Sequence, residues 1–311
     1  MRLSIVTTLY KSAPYVEEFY TRATRAGSTL TDDYELLFVN DGSPDDACEQ
    51  AVALHKRDVH VRVLDLSRNF GHHKAMMTGL QHARGDLIFL IDVDLEEQPE
   101  WLAEFHTALQ QSGTDSVYGV QARRKGDWFE RFAGAVFYKS FNAWLDHPIP
   151  ENAVTARLMT RRYVDSLVQH RDREMTMAPL WAMTGYCQIA VPVVKQSRRD
   201  TSYKFRNRVA NLVNNITSFS NRPLVYIFYL GTLIMVLSGG YGMWLIWKAT
   251  HGEIGVPGWP TVIVSIWFLG GITIFCIGVI GIYLSKVFAE TKDRPYTIIR
   301  ADYDHNAAVR R

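Results

Sequence analysis

Two runs without a charged residue constrain this chain more than any other feature: Leu224 to Trp247, over 24 positions, and Thr261 to Ser285, over 25. As helices rising 1.5 Å per residue, each reaches roughly 36 Å, beyond the ~30 Å hydrocarbon core of a bilayer. Tyr226, Tyr229, Trp244, Trp247, Trp259 and Tyr283 lie near their ends, as in an interfacial aromatic belt. The connection over about 248–260 carries one lysine, whereas Arg198, Arg199, Lys204, Arg206, Arg208 and Arg222 precede the pair and Lys286, Lys292, Arg294 and Arg300 follow it. The positive-inside rule then places both ends of a transmembrane hairpin in the cytoplasm. Gly270, Gly271, Gly278 and Gly281 allow close helix approach within the hairpin or between subunits, so a homo-oligomer is compatible with the sequence. Neither run contains an ionisable residue to mark a substrate path, which argues against a transporter.

The first half of the chain alternates strand and helix signals. Strands are expected at Leu3 to Thr8, Tyr34 to Asn40, Val61 to Asp65, Leu87 to Ile91 and Ser116 to Val120, with helices at Pro14 to Ala26, after Ser43-Pro44-Asp45-Asp46, at about His72 to His82 and at Pro99 to about Gln110. Such alternation implies right-handed crossovers and a mostly parallel sheet covered on both faces. The opening MRLSIVTTLY is too short an apolar run for a signal peptide and reads as the first buried strand. Three widely spaced cysteines, Cys48, Cys187 and Cys276, offer neither a disulfide framework nor paired zinc ligands. A net charge of +2 gives no footprint for nucleic acid.

The chemistry concentrates in Gly85 to Glu100, GDLIFLIDVDLEEQPE. A buried apolar strand ends abruptly in Asp92-Val93-Asp94, and strand alternation puts Asp92 and Asp94 on one side. Carboxylates so close repel unless a cation offsets them, and ligands of open α/β sheets bind outside the carboxyl ends of strands. Oxygen ligands suit Mg2+ or Mn2+ holding a diphosphate. A solvated acidic turn capping the next helix is the alternative. No G-x-G-x-x-G follows the first strand and no G-x-x-x-x-G-K-[ST] occurs, so a glycine cradle does not supply the phosphate site.

Two amphipathic stretches complete the pattern. Trp128, Phe129, Phe132, Val136, Phe137, Phe141 and Trp144 recur at helical steps, as do Phe205, Val209, Leu212, Val213, Ile216 and Phe219 beside Lys204, Arg206 and Arg208. The second is expected to lie at a membrane surface; the first suits either that place or the sheet. Arg123, Arg124 and Arg131 precede or fall within the first stretch and are placed to reach a phosphate at the membrane face; for Arg124 and Lys125 the alternative is a solvated basic turn attracted to anionic lipid.

Asn40-Asp41-Gly42-Ser43, Arg68-Asn69-Phe70-Gly71, Gly85-Asp86 and Asp92-Val93-Asp94-Leu95 resemble, in order and spacing, the family 2 glycosyltransferases of GT-A fold. Arg157-Leu158-Met159, Ser218-Phe219-Ser220 with Pro223-Leu224, and Thr291-Lys292-Asp293-Arg294-Pro295-Tyr296 resemble the polyprenyl-phosphate glycosyltransferases within it, relatives of dolichol-phosphate mannose synthase and of the bactoprenol glucosyltransferases of O-antigen modification. The resemblance covers nearly the whole chain. It implies an inverting transfer from a nucleotide-diphosphate sugar to a polyprenyl (undecaprenyl) phosphate, on the cytoplasmic side of a bacterial inner membrane, for cell-surface polysaccharide or lipopolysaccharide.

By position, the resemblance puts Asp41 on the nucleotide base with Thr8 and Tyr10 lining its pocket, and Arg68 among the donor-binding residues. Asp92 then faces the ribose and diphosphate, and Asp94 ligates Mg2+ or Mn2+, with Asp92 and Glu96 as further candidate ligands. Arg157, Arg199 and Lys204 match positions facing donor or acceptor phosphates, and Arg123, Arg131, Arg157 and Asp94 form the expected catalytic set. The chain departs from the pattern at Thr7-Thr8-Leu9-Tyr10-Lys11-Ser12 and at Val154-Thr155-Ala156, where glycine-aspartate-phenylalanine is common. A phosphate acceptor is already ionised near neutral pH and needs no strong general base. The rivals are transfer to a lipid-linked oligosaccharide or hydroxyl acceptor, with Glu151 or Asp146 as base, and a catalytically silent membrane scaffold. The expected organisation is a GT-A domain over 1–200, an interfacial helix over 201–222, two transmembrane helices over 223–288 and a cytoplasmic tail over 289–311.

Overall fold

The computed structural model describes residues 1–121, 152–173, 175–196, 222–251 and 258–305, which divide into an α/β unit and a helical unit. In the α/β unit the chain runs β1 (Leu3–Leu9), a 3-10 turn (Ala13–Tyr15), α1 (Val16–Ser28), β2 (Tyr34–Asn40), α2 (Ala47–Arg57), β3 (Val61–Leu66), α3 (His72–His82), β4 (Leu87–Leu90), α4 (Trp101–Ser112) and β5 (Ser116–Gln121). It continues as β6 (Ala153–Thr160), α5 (Arg161–Leu167), α6 (Met177–Met183), β7 (Gln188–Val193) and, near the end of the chain, β8 (Ile299–Tyr303). The expected first amphipathic stretch, the second one, and Arg123, Arg131, Arg199 and Lys204 lie outside the described residues.

The eight strands among the described residues form one sheet in the order β7-β5-β6-β4-β1-β2-β3-β8. β4, β1, β2 and β3 run parallel, as the strand–helix alternation predicts. β7 is parallel to β5, whereas β6 runs antiparallel between β5 and β4, and β8 runs antiparallel to β3 at the edge. Both faces are covered, so β1 and β3 are buried at every position. On one face α1, α2 and α4 bring Val16, Phe19, Ala23, Ala51, Leu54, Leu102 and Phe105 onto Ile5, Leu36, Phe38 and Phe89. Their three- and four-residue spacing gives each helix one apolar stripe. On the other face α3 buries Ala75, Met76, Met77 and Leu80.

Four expected strand ends shift by one residue, β1 running to Leu9 and β5 to Gln121. β4 stops at Leu90, two residues before Asp92, and β3 runs one residue past Asp65. Gly85 begins the approach to β4 where backbone packs on backbone: a Cβ there meets Ser4 N at 2.5 Å and Leu87 O at 2.7 Å. The strand β8 comes from the segment expected as a tail. Its ion pairs hold it: Arg62, itself buried, makes a bidentate pair with Asp302 (3.0 and 2.7 Å), and Arg84 pairs with Asp304.

The helical unit contains α7 (Arg222–Thr250) and α8 (Trp259–Thr291), which cover both uncharged runs. Among the described residues one stretch, Phe268–Thr291, is long and apolar enough to cross a membrane, and its most apolar window is not buried. The apolar stretch Leu224–Ile234 of α7 is shorter. Phe228, Tyr229, Phe275, Ile277 and Phe288 all stand exposed on these helices.

Candidate functional site

The carboxyl ends of β1, β2, β3 and β4 open on one edge of the sheet, where Leu9 lies opposite Asn40 and Asn40 opposite Asp65. Asn40 is buried and oriented at both ends of its amide, giving Nδ2 to Asp65 Oδ1 at 2.8 Å and accepting Ser43 N–H at 3.1 Å. Asp41 follows. Its carboxylate accepts Phe70 N–H at 2.7 Å and Gly71 N–H at 3.0 Å, so it holds the 68–71 loop rather than the turn beside it. Burial raises the Asp41 carboxyl above its ordinary range, against those two bonds and the nearby His72 and Arg68. Gly42 (φ +59°) lets this corner close, because a Cβ there lies 2.5 Å from Arg68 C and Asn69 N. Arg68 folds over the Phe70 ring at 4.1 Å and donates to Asn69 O.

His72, the first residue of α3, bridges two of the expected donor residues. Its Nδ1 lies 3.0 Å from Thr8 Oγ1 and its Nε2 3.4 Å from Asp92 Oδ1. Burial lowers the His72 pKa, but Asp92, Asp41 and Glu97 more than offset this and leave it raised. The same contact acts on its partner: burial raises Asp92, while His72, Lys195 and Thr155 bring it below the ordinary carboxylate value. Tyr10 stands exposed just beyond β1.

From Ile91 to Glu97 burial alternates, with Ile91, Val93, Leu95 and Glu97 inside and Asp92, Asp94 and Glu96 only partly buried on the other side. The alternation expected of a strand thus continues past the end of β4. It does so through a strained turn: Leu95 has φ +60° and is wholly buried in the apolar core. Across that turn Asp94 Oδ1 accepts Glu96 N–H at 3.0 Å. Burial raises the Asp94 carboxyl, and Asp92 and Glu96 add to the rise.

Glu97 points the other way, fully buried, accepting Thr155 N–H at 3.0 Å while its Oε2 has no hydrogen-bond partner. Burial, with Asp92 beside it, pushes its carboxyl up to about 8. Lys195, from the segment after β7, reaches Glu96 at 3.4 Å and Glu97 at 3.6 Å.

Arg157 is placed apart from solvent. It lies on β6, 2% exposed, with its guanidinium 3.4 Å above the Trp181 ring and 5.3 Å from Tyr118. Its Nε and Nη1 meet no acceptor, and burial lowers its pKa to about 10. Thr8, Asp41, Asp92, Asp94 and Glu96 therefore gather at one edge through His72 and the 92–97 loop, whereas Arg157 is packed among aromatic rings. Three residues of this site were not expected from the sequence: His72, Glu97 and Lys195. The acidic Glu96-Glu97 pair was a visible signal for the second; nothing in the chain order flags Lys195.

Residues 4–168 match the family model for glycosyl transferase family 2. A Mycobacterium tuberculosis protein provisionally named a glycosyltransferase is 54% identical over 100% of this chain and 91% of its own length. A prophage bactoprenol glucosyl transferase homolog of Escherichia coli is 34% identical over 96% of this chain and 99% of its own. Among solved structures, a mannosyltransferase from Pyrobaculum calidifontis, in complex with GDP-Man and Mn2+, superposes with a TM-score of 0.51 at 17% identity, covering 94% of this chain and 86% of that one. At that identity the likeness concerns the fold.

Proposed function

The chain belongs to glycosyl transferase family 2, and we propose that it moves a sugar from a nucleotide-diphosphate donor to a polyprenyl phosphate at the cytoplasmic face of a bacterial inner membrane. The observation that carries the reading is the acidic 92–97 loop at the carboxyl end of β4, in a chain similar over its whole length to bactoprenol glucosyl transferases. Asp41, Thr8 and Tyr10 line the place for the nucleoside, and Arg68 with the 68–71 loop closes it. No strong general base is required, because the acceptor oxygen is ionised before it attacks.

The loop fits a hard divalent cation on its own chemistry. Asp92, Asp94 and Glu96 offer oxygen donors; burial raises Asp94 and the neighbouring Asp92 and Glu96 add to the rise, and that added repulsion is what a cation relieves. Among the described residues no three His, Cys, Asp or Glu side chains are gathered closely enough to hold a metal ion by themselves. Mg2+ is commonly held by one or two carboxylates with substrate phosphates completing its shell, so Asp94 with Asp92 or Glu96 suffices. When bound, Mg2+ or Mn2+ offsets charge on the departing nucleotide diphosphate. Arg123, Arg131, Arg199 and Lys204 are assigned to donor and acceptor phosphates, and Arg157 to the aromatic wall formed by Trp181 and Tyr118.

The proposal includes membrane anchoring by α7 and α8 as a hairpin, which would keep the enzyme beside a substrate confined to the bilayer and raise its effective concentration. The uncharged runs and the apolar stretch Phe268–Thr291 support the anchor, and the glycines of α8 suit a homo-oligomer. The test incubates purified protein and undecaprenyl phosphate with Mg2+ or Mn2+ and a panel of labelled nucleotide sugars. Label in an acid-labile lipid is expected from one donor; label in no lipid from any donor refutes the proposal.

A further inference from the structure

The acidic loop carries a cation of its own. Besides its ion pairs with Glu96 and Glu97, Lys195 is fastened by the backbone, because Gln196 N–H donates to the Glu96 carbonyl at 2.9 Å. The ammonium is half-buried among Asp92, Asp94, Glu96 and Glu97, with His72 also facing the cluster from α3. Glu97, one of its partners, is wholly buried with Oε2 lacking any hydrogen bond, so the cluster includes an unsatisfied carboxyl oxygen aimed inward. Crowded anions need a counter-charge, and one lysine does not neutralise the three carboxylates Asp92, Asp94 and Glu96. The chain thus brings a partial neutraliser into the place where a divalent ion binds.

We propose that Lys195 is a tethered counter-cation of the 92–97 loop: it occupies the loop when no divalent ion is bound, competes with that ion for Glu96, and turns to the donor's diphosphate once the ion is in place. This rests on the nucleotide-sugar reading above. Lysine suits such an exchange, being a compact, strongly hydrated charge on a flexible stem. A purely structural brace makes the opposite prediction, because losing it loosens the loop and weakens any ion bound there.

The experiment titrates Mn2+ into purified full-length protein without nucleotide, for wild type, Lys195→Met and Lys195→Arg, and measures the donor KM and kcat separately. Lys195→Met is expected to bind Mn2+ roughly tenfold tighter, the direction set by removing a like charge a few ångströms away. Its donor KM is expected to rise more than its kcat falls. Lys195→Arg, which keeps the charge, is expected to stay near wild type in Mn2+ affinity. Equal or weaker Mn2+ binding by Lys195→Met overturns the proposal, as does Mn2+ binding to none of the three. If Lys195→Met does not fold, Lys195→Gln, also neutral, carries the same comparison. Absence of sugar transfer by the wild type defeats the proposed function instead, and leaves the Mn2+ comparison readable.

Discussion

Arg300 donates to Asp65 Oδ2 through Nε at 2.8 Å, while Asp65 Oδ1 takes the amide of Asn40. The strand that follows the last long helix is therefore fastened to the residue that orients the start of the Asn40-Asp41-Gly42 corner. The neighbouring pair is the stronger anchor, since Arg62 is buried whereas the Arg300 side chain is 63% exposed. Asp302→Ala leaves Arg62 with His82 O and a longer 3.8 Å contact to Asp304. The expected loss is about 2 kcal/mol of stability, measured by denaturant unfolding of the detergent-solubilised protein. Faster amide exchange over 299–303 should accompany it.

Asp94→Asn keeps size and hydrogen-bonding capacity but removes a charge from the loop. Asp94 Oδ1 still accepts Glu96 N–H in the variant, so folding should persist with an unchanged circular dichroism spectrum. Sugar transfer is expected to fall on the order of a hundredfold or more, because the cation offsetting the leaving diphosphate loses a ligand. Retained turnover at saturating Mn2+ contradicts the assignment.

Glu97 gives a pH dependence whose sign follows from its burial. Its carboxyl is raised from an ordinary 4.5 to about 8, so the folded state holds a proton that the unfolded state has released. Its contribution to stability is full below about 4.5 and is lost as pH rises through about 8. Each unit of displacement corresponds to about 1.4 kcal/mol between the two states. Glu97→Gln mimics the protonated form and keeps an oxygen for Thr155 N–H. The variant should therefore gain on wild type as pH is raised from 5 to 9, roughly in proportion to that displacement. Parallel stability curves for the two proteins rule this out.

Gly42→Ala tests the corner that Asp41 closes. The added methyl meets the backbone of Arg68 and Asn69 at 2.5 Å, and φ +59° is itself unfavourable for alanine. Backbone cannot step aside as a side-chain tip does. A loss of roughly 2 kcal/mol or more is expected, with a raised donor KM if the 68–71 loop closes the nucleoside pocket. The measurement pairs thermal unfolding with donor saturation curves.

The parallel half of the sheet was legible because each strand is a short apolar run ended by polar turn residues, and each helix shows a three-to-four spacing. Asp92 and Asp94 were legible as a same-side pair, although the strand ends at Leu90 and the alternation is carried on by a loop. What escaped was long-range. β6 holds a buried arginine that spoils the apolar pattern, and it enters the sheet antiparallel, inserted between β5 and β4. β8 alternates only weakly and finds β3 across more than half the chain. Lys195 meets Glu97 through topology alone, and His72 looks like any first residue of a helix until Thr8 and Asp92 appear on either side of its ring.

Leu95 tests whether the acidic loop is shaped by its own turn or by the core beneath it. A leucine in the left-handed region costs on the order of 1 kcal/mol or more, and persists when its surroundings over-determine it. Its side chain is wholly buried in the cluster that includes Val93, Trp101 and Leu102, so the core pulls the turn into place. Leu95→Gly removes the backbone cost but also the anchor; Leu95→Ala removes the anchor and keeps the cost. If packing sets the turn, Leu95→Ala should lose about 2–5 kcal/mol, and Leu95→Gly should recover only about 1 kcal/mol of that. Mn2+ affinity should fall in both, because Asp94 and Glu96 sit on either side of the residue and are aimed by it. Full stability in Leu95→Gly, with unchanged Mn2+ binding, shows instead that the turn holds itself.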